Sequence, residues 1–145
     1  MRIGKLLYQD LPNVISVFRH LGSINKVNSR GVSFKLVSDN WITKYRTRTF
    51  NSKEPEMLDW IDENVRDDDI LFDVGANIGI YSIYAALRNP KTTIYAFEPE
   101  YSNLHQLKQN IINNGLQSSI MPFSIGLGDN TGISSLHIQD ITPGS

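Results

Sequence analysis

Residues 73–79 read Asp73-Val74-Gly75-Ala76-Asn77-Ile78-Gly79 and follow the short apolar run Ile70-Leu71-Phe72. A helix-like pattern, Ile80–Arg88, comes next, and then a second apolar run, Thr93–Phe97, that ends on Glu98. A strand, a glycine-spaced turn, a helix and a second strand closed by a carboxylate form the order that a nucleotide-type cofactor needs. Glycine lets backbone and ligand come close, and an acid after the second strand can accept hydrogen bonds from the vicinal hydroxyls of a ribose.

The spacing narrows the ligand. A NAD fingerprint needs glycine at the first, third and sixth places, which here are Gly75, Asn77 and Ile80. A P-loop needs Gly-Lys-Ser/Thr, which is absent. Asp73 would repel a pyrophosphate at the first turn but would favour a cationic ligand carrying an ammonium group. The following helix is expected to aim free N–H groups and its positive end into the crevice.

Outward from the turn, the pattern continues as β-α-β-α-β. A helix is predicted from about Tyr101 to Asn114, with Leu104, Leu107 and Ile111 on one side and Gly115 as terminator, and then a third strand over Ser119–Ser124. This implies a parallel sheet with right-handed crossovers. Ile133–Ile138 alternates like a hairpin partner beyond the turn at Leu127–Gly132. Upstream, Ser52 and Pro55 predict the start of a helix reaching Val65. Asp67-Asp68-Asp69 sits at strand entry, where neighbouring side chains diverge, and is read as a solvated turn and not a metal site. Before that, Val32–Leu36 and Trp41–Thr49 both alternate and predict a β-hairpin, with Lys44, Arg46 and Arg48 sharing one face. Ile24–Gly31 reads as loop, and Leu11–Gly22 as a short helix. The organisation expected is an extension over residues 1–50 and a cofactor-binding unit over 51–145.

Composition sets bounds. The 145 residues are 40% hydrophobic and contain no cysteine, which excludes disulfides, thiol chemistry and Cys-based zinc sites. No apolar run approaches membrane-spanning length, and no signal-peptide core precedes a cleavage site, so a soluble, cytoplasmic protein is expected. The net charge of −1 hides an asymmetry: residues 1–50 carry +7 and residues 51–145 carry −8. A basic front could meet an anionic partner, or be a solvated face beside an acidic neighbour. Tyr81 and Tyr84 read as core or crevice wall. His20, His105 and His137 are scattered and lack the companions of a catalytic base.

An acid before the glycines and an acid after the second strand describe an S-adenosylmethionine pocket. The segment Asp73–Tyr81 (DVGANIGIY), Ala96-Phe97-Glu98-Pro99 and Ile125-Gly126-Leu127-Gly128-Asp129 resemble the FkbM family of class I methyltransferases over roughly residues 50–140. The resemblance implies a Rossmann-like α/β fold, its N-terminal half with strand order 3-2-1. It also implies methyl transfer from S-adenosyl-L-methionine to an oxygen of a sugar, glycan or small metabolite. Carried over by motif, Asp73, Gly75, Ala76, Asn77 and Gly79 would hold the methionine part and the adenosine linkage. Glu98 would hold the ribose, Pro99 or Glu100 would lie beside the adenine, and Ser124 and Ile125 fall where adenine contacts are expected. No residue is assigned as general base, and no metal is expected.

The family pattern continues with a strand that pairs with the first and carries a Lys-x-Asp-Val-Glu-Gly-type segment, whereas this chain reaches Ile141-Thr142-Pro143-Gly144-Ser145 without one. A truncated chain with an open sheet edge and self-association through that edge are the corresponding expectations. Two rival functions come from other classes. One is a cofactor-binding or interaction module without catalysis. The other is a nucleic-acid methyltransferase guided by the basic front, disfavoured by the missing Asn-Pro-Pro-Tyr-type motif.

Overall fold

The computed structural model describes residues 23–138 and 141–145; the helix expected over Leu11–Gly22 lies outside them. The glycine-spaced turn stands where the sequence puts it. Strand β3 (Ile70–Val74) leads through it into a helix, Ile80–Arg88, followed by β4 (Thr93–Phe97), a second helix, Tyr101–Asn113, and β5 (Ile120–Phe123). The three strands are parallel in the order β3-β4-β5, with Phe72 level with Tyr95 and Tyr95 level with Met121. This is the 3-2-1 arrangement expected. Alternation along β3 sends Leu71 and Asp73 to one face and Ile70, Phe72 and Val74 to the other. The latter three are 59–61% exposed, at the edge of the sheet as described. On that face Phe72 stacks on Tyr95 and Phe97, and Phe123 lies 5.3 Å from Phe97, so the open side carries a sheet of aromatic rings.

The chain ahead of the sheet differs from its sequence reading. Ile24–Gly31 is not loop: β1 (Ile24–Ser29) pairs antiparallel with β2 (Val32–Val37). Arg30 and Gly31 form the two-residue turn between them, both at positive φ (44° and 88°), as a tight hairpin requires. Only Val27 and Ser29 of β1 are buried, so its apolar alternation is too sparse to read. Trp41–Thr49 is not the hairpin's second strand but part of helix α1 (Trp41–Lys53). Asn40 caps it with a box, its side chain accepting from the Thr43 N–H (2.9 Å) while Thr43 Oγ1 accepts from the Asn40 N–H. Thr47 and Thr49 then donate to the carbonyls four residues back, at 2.7 and 2.8 Å. Alternating threonines are thereby satisfied inside a helix. Helix α2 (Pro55–Asn64) starts separately, with Pro55 in its first turn and Glu54, not Ser52, as its N-cap residue. Helices α3 (Ile80–Arg88) and α4 (Tyr101–Asn113) complete the set. Ile133–Ile138 forms no strand; Ile133 and Leu136 stand exposed, and residues 124–136 face Pro99 instead of pairing with β5.

Helices α3 and α4 cover one face of the sheet, and β2 packs on their outer side. The core between them includes Ile83, Tyr84, Leu107, Ile94 and Ile120, each at most 1% exposed. Three amide side chains one helical turn apart on α4 and just past its end fasten β2. Gln106 donates to the Val37 carbonyl, Asn110 accepts from the Val37 N–H, and Asn114 both accepts from and donates to Lys35. The same Asn110, fully buried, donates to the Ile78 carbonyl in the glycine turn at 2.9 Å. At the hairpin tip, Asp62 of α2 collects Arg30, Arg88 and the Tyr84 hydroxyl within 3.0 Å. Burial pushes the Asp62 carboxyl up, but those three hydrogen bonds outweigh it and hold it below its ordinary value.

The two turn glycines have different reasons to be glycine. Both lie at positive φ, 77° at Gly75 and 79° at Gly79. A Cβ at Gly79 would stand 2.1 Å from Leu107 Cδ1, whereas at Gly75 nothing lies within 4 Å. Gly79→Ala is therefore expected to cost about 2–3 kcal/mol, combining a left-handed backbone with overpacking. Gly75→Ala should cost only the left-handed penalty, about 1–2 kcal/mol. Urea unfolding of both variants checks this, and equal losses would remove the steric distinction.

Candidate functional site

The expected site residues converge at the carboxyl ends of β3 and β4, where ligands sit in open α/β sheets. The turn is tied to β4 by its own amides. Gly75 N–H and Ala76 N–H both donate to the Phe97 carbonyl, at 2.9 and 3.0 Å, and Asn77 N–H donates to Glu98 Oε2 at 2.7 Å. Ile78 N–H turns to the Asn77 side chain, and Gly79 N–H to the Ala76 carbonyl. Every backbone N–H from Gly75 to Gly79 is thus spent inside the protein. A phosphate cradle needs such donors, and the turn itself offers none.

Glu98 is 5% exposed. Its second oxygen accepts from the Glu100 N–H at 2.9 Å, so the carboxylate is held at both ends while each oxygen keeps a lone pair for another donor. Asp73, half-buried at the end of β3, accepts from the Ser82 hydroxyl at 2.5 Å, which fixes it against α3. Burial pushes the Asp73 carboxyl above its ordinary value, opposed by the hydroxyl and backbone N–H of Ser82. Ala76 is buried and Gly79 lies under Leu107, so both shape the turn from below, while Gly75 is open.

Pro99, next in sequence to Glu98, comes together with Ser124 and Ile125, which follow β5, and they line a cavity of about 570 Å³ with residues 126–128 and 130–136. Glu100 does something the sequence reading did not assign: it caps α4, accepting from the Ser102 and Asn103 N–H groups at 2.8 and 2.6 Å. A second cavity of about 410 Å³ adjoins Glu98, Asn103, His137 and Ser145. Its rim is gripped from three sides. Arg46 Nε donates to the Gly144 carbonyl at 2.5 Å, Asn103 accepts from the Gly144 N–H at 2.7 Å, and Asn77 Nδ2 donates to the Ser145 carbonyl at 2.8 Å. Arg46 and Asn103 were missed as neighbours of the site, because nothing local in sequence relates them to Asp73 or Glu98.

On the other side of β3 an apolar groove of about 600 Å³ runs past Trp60, Phe72, Asp73 and Tyr81. The Tyr81 hydroxyl donates to Glu54 at 2.6 Å. Burial first, and then that hydrogen bond, push the Tyr81 phenol far above its ordinary value, while the same bond holds Glu54 below its own. Tyr81 stays protonated and serves as crevice wall. Tyr84 is fully buried, its phenol pushed up to about 12 by burial and by Asp62. His105 meets Gln109 on the exposed side of α4. Asp67 and Asp69 accept from the Lys91 and Arg66 N–H groups, as a turn does. Among the described residues there is no cluster able to hold a metal ion and no helix long and apolar enough to cross a membrane.

Solved structures share this arrangement. A SAM-dependent methyltransferase from Agrobacterium tumefaciens superposes at a TM-score of 0.52 with 16% identity, over 72% of this chain and 33% of that one. The S-adenosylmethionine-dependent methyltransferase SibL does so at 0.50 with 12% identity, over 90% and 39%. The fold is that of the Rossmann-like class I methyltransferases. In sequence, the chain is 40% identical over 50 residues to the 31-O-demethyl-FK506 methyltransferase FkbM of Streptomyces tacrolimicus, covering 34% of this chain and 19% of that protein. It is 29% identical over 79 residues to the hexuronic acid methyltransferase AglP of Haloferax volcanii, covering 54% and 31%. The chain thus spans less than a third of the length of these curated relatives. No family model matches it.

The electrostatics of Asp73 give a test independent of any ligand. A carboxyl whose folded pKa is raised costs stability once ionised, and that cost sets in as pH rises through the unfolded value near 4 and the higher folded one. Asp73→Asn, which can keep the Ser82 bond, should therefore melt higher than the parent at pH 7. The gap should close as pH falls toward about 4. A variant less stable at pH 7 would contradict this reading of the site.

Proposed function

We propose that this chain forms the cofactor half of an S-adenosylmethionine-dependent methyltransferase. The carrying observation is the pairing of a buried, doubly held Glu98 at the end of β4 with a glycine turn whose amides are all committed elsewhere. Glu98 suits a ribose diol, the open Gly75 admits a ligand against the backbone, and the spent amides suit a cofactor without phosphates. In this proposal Asp73, fixed by Ser82, faces the positively charged methionine part, with Gly75, Ala76, Asn77 and Gly79 shaping its wall. Pro99, Ser124 and Ile125 line the adenine side. Residues 51–145 then make up the partial cofactor-binding unit, with 1–50 as an extension.

When bound, the cofactor would supply a methyl group activated on a sulfonium for transfer to an acceptor oxygen. Among the described residues none is assigned as the base for the acceptor's proton. What they contribute is orientation: a rigid turn, a fixed carboxylate on each side and a crevice whose walls hold the donor in one pose. The acceptor class that fits the similarity to FkbM and AglP is an oxygen of a sugar, glycan or small metabolite. We further infer that the exposed β3 edge, with its aromatic face, associates with another copy, since such an edge is a template for pairing.

Titration calorimetry of S-adenosylmethionine and S-adenosylhomocysteine into the chain tests the cofactor reading. Glu98→Ala should weaken binding about tenfold or more, as expected for loss of hydrogen bonds to a charged group. No binding at millimolar ligand, or full binding by the variant, would reject it.

A further inference from the structure

Thr142-Pro143-Gly144-Ser145 closes a tight turn, the Ser145 N–H donating to the Thr142 carbonyl at 3.0 Å. Proline at its second place and a glycine with φ of 90° at its third are what a type II turn favours. Side chains from α1 and its cap, from α4 and from the glycine turn grip its backbone. Asn40 Nδ2 donates to the Pro143 carbonyl at 3.1 Å and Arg46 Nε to the Gly144 carbonyl at 2.5 Å. Asn103 Oδ1 accepts from the Gly144 N–H at 2.7 Å, and Asn77 Nδ2 donates to the Ser145 carbonyl at 2.8 Å. Gly144 is buried, and a Cβ on it would stand 3.0 Å from Thr43 Cγ2 and 3.3 Å from Ile42 Cγ2. The turn therefore seats flush on α1 because it carries no side chain there.

That seat lies on the approach to Glu98. The Asn77 N–H bonds Glu98 Oε2 while the Asn77 side chain holds the Ser145 carbonyl, so one residue links the acid to the turn. Ser145 and Leu136–Ile138 line the same cavity as Glu98. Glu98 is only 5% exposed, although each of its oxygens keeps a lone pair for a further donor. The Asn77 side chain is committed in both directions, its Oδ1 to the Ile78 N–H and its Nδ2 to Ser145. We propose that the Thr142–Ser145 turn is a built-in plug of the crevice, which must leave its seat before the cofactor reaches Glu98. The inference rests on the cofactor reading above. A fixed wall would leave the acid and the motif's own side chain to the ligand, whereas this turn engages the one and stands over the other. Release is simple in physical terms. The four bonds that hold the turn all run to side chains, and the Thr142–Ser145 bond that shapes it is its own, so it lifts as a unit. Cofactor affinity is then reduced by the fraction of molecules in which the turn is seated.

Two variants loosen the turn without touching Glu98 or the glycine motif. Arg46→Ala removes the donor to the Gly144 carbonyl, and Gly144→Ala sets a methyl group against Thr43 on a left-handed backbone. In calorimetric titration with S-adenosylhomocysteine, each should bind about three- to tenfold more tightly than the parent, as loss of one such bond from the seated state implies. A second measurement needs no variant. Because turn and ligand exclude each other, hydrogen exchange at the Gly144 amide should quicken when the parent chain is saturated with S-adenosylhomocysteine. Equal or weaker binding by both variants, or a Gly144 amide that exchanges no faster with ligand bound, would overturn the plug. Either result leaves the cofactor reading standing. Absence of binding by the parent and both variants removes the cofactor reading, and the plug with it.

Discussion

The crossing between the glycine turn and the end of β4 is the constraint on which the rest depends. Three successive amides, Gly75, Ala76 and Asn77, are anchored by one carbonyl, that of Phe97, and one carboxylate, that of Glu98. The turn could not curl this tightly with side chains that forbid positive φ at residues 75 and 79. Glu98 could not stay buried without the amides that hold it. Each half of the site thus fixes the other, and Asp73 is steered independently by Ser82. The result is a pair of carboxylates held by hydrogen bonds beside a glycine with open space where a side chain would stand.

The β-α-β-α-β core was legible because each strand is a short apolar run and each helix an apolar stripe closed by turn chemistry. Asp73 and Glu98 were legible as a pair because both stand at strand ends with a fixed separation. What stayed hidden has physical reasons. Strand β1 buries only Val27 and Ser29, too little to betray alternation. Helix α1 wears threonines at strand spacing, and its identity rests on a capping box between Asn40 and Thr43, a signal three residues wide. The commitment of the turn's amides could not be read at all, since Phe97 and Glu98 meet them only through parallel strand register. Nor could the reason for Gly79, which lies in Leu107, 28 positions away in sequence.

The hairpin shows how a strand edge can be completed by something other than a strand. Gln106, Asn110 and Asn114 present amides at one turn intervals, and together they offer β2 the donors and acceptors that a neighbouring strand would. This protects an edge that would otherwise recruit partners. By contrast, β3 has no such cover among the described residues, and its outward side chains are aromatic and aliphatic. One strand edge is closed by side-chain chemistry, and the other carries no such cover among the described residues.

The amide ladder also has a kinetic meaning. Its bonds join residues 69 to 79 positions apart, whereas β3, α3 and β4 touch within about two dozen residues of one another. Contacts that close long loops are entropically expensive and form late. The sheet and its crossover helices therefore assemble first, with the glycine turn formed but not yet braced. Asn110 bonds both Ile78 and Val37, so one side chain joins the docked hairpin to the glycine turn. The hairpin, well ahead of the site in sequence, thus braces it, and the ladder's strength governs how often the finished turn reopens more than how quickly it is built.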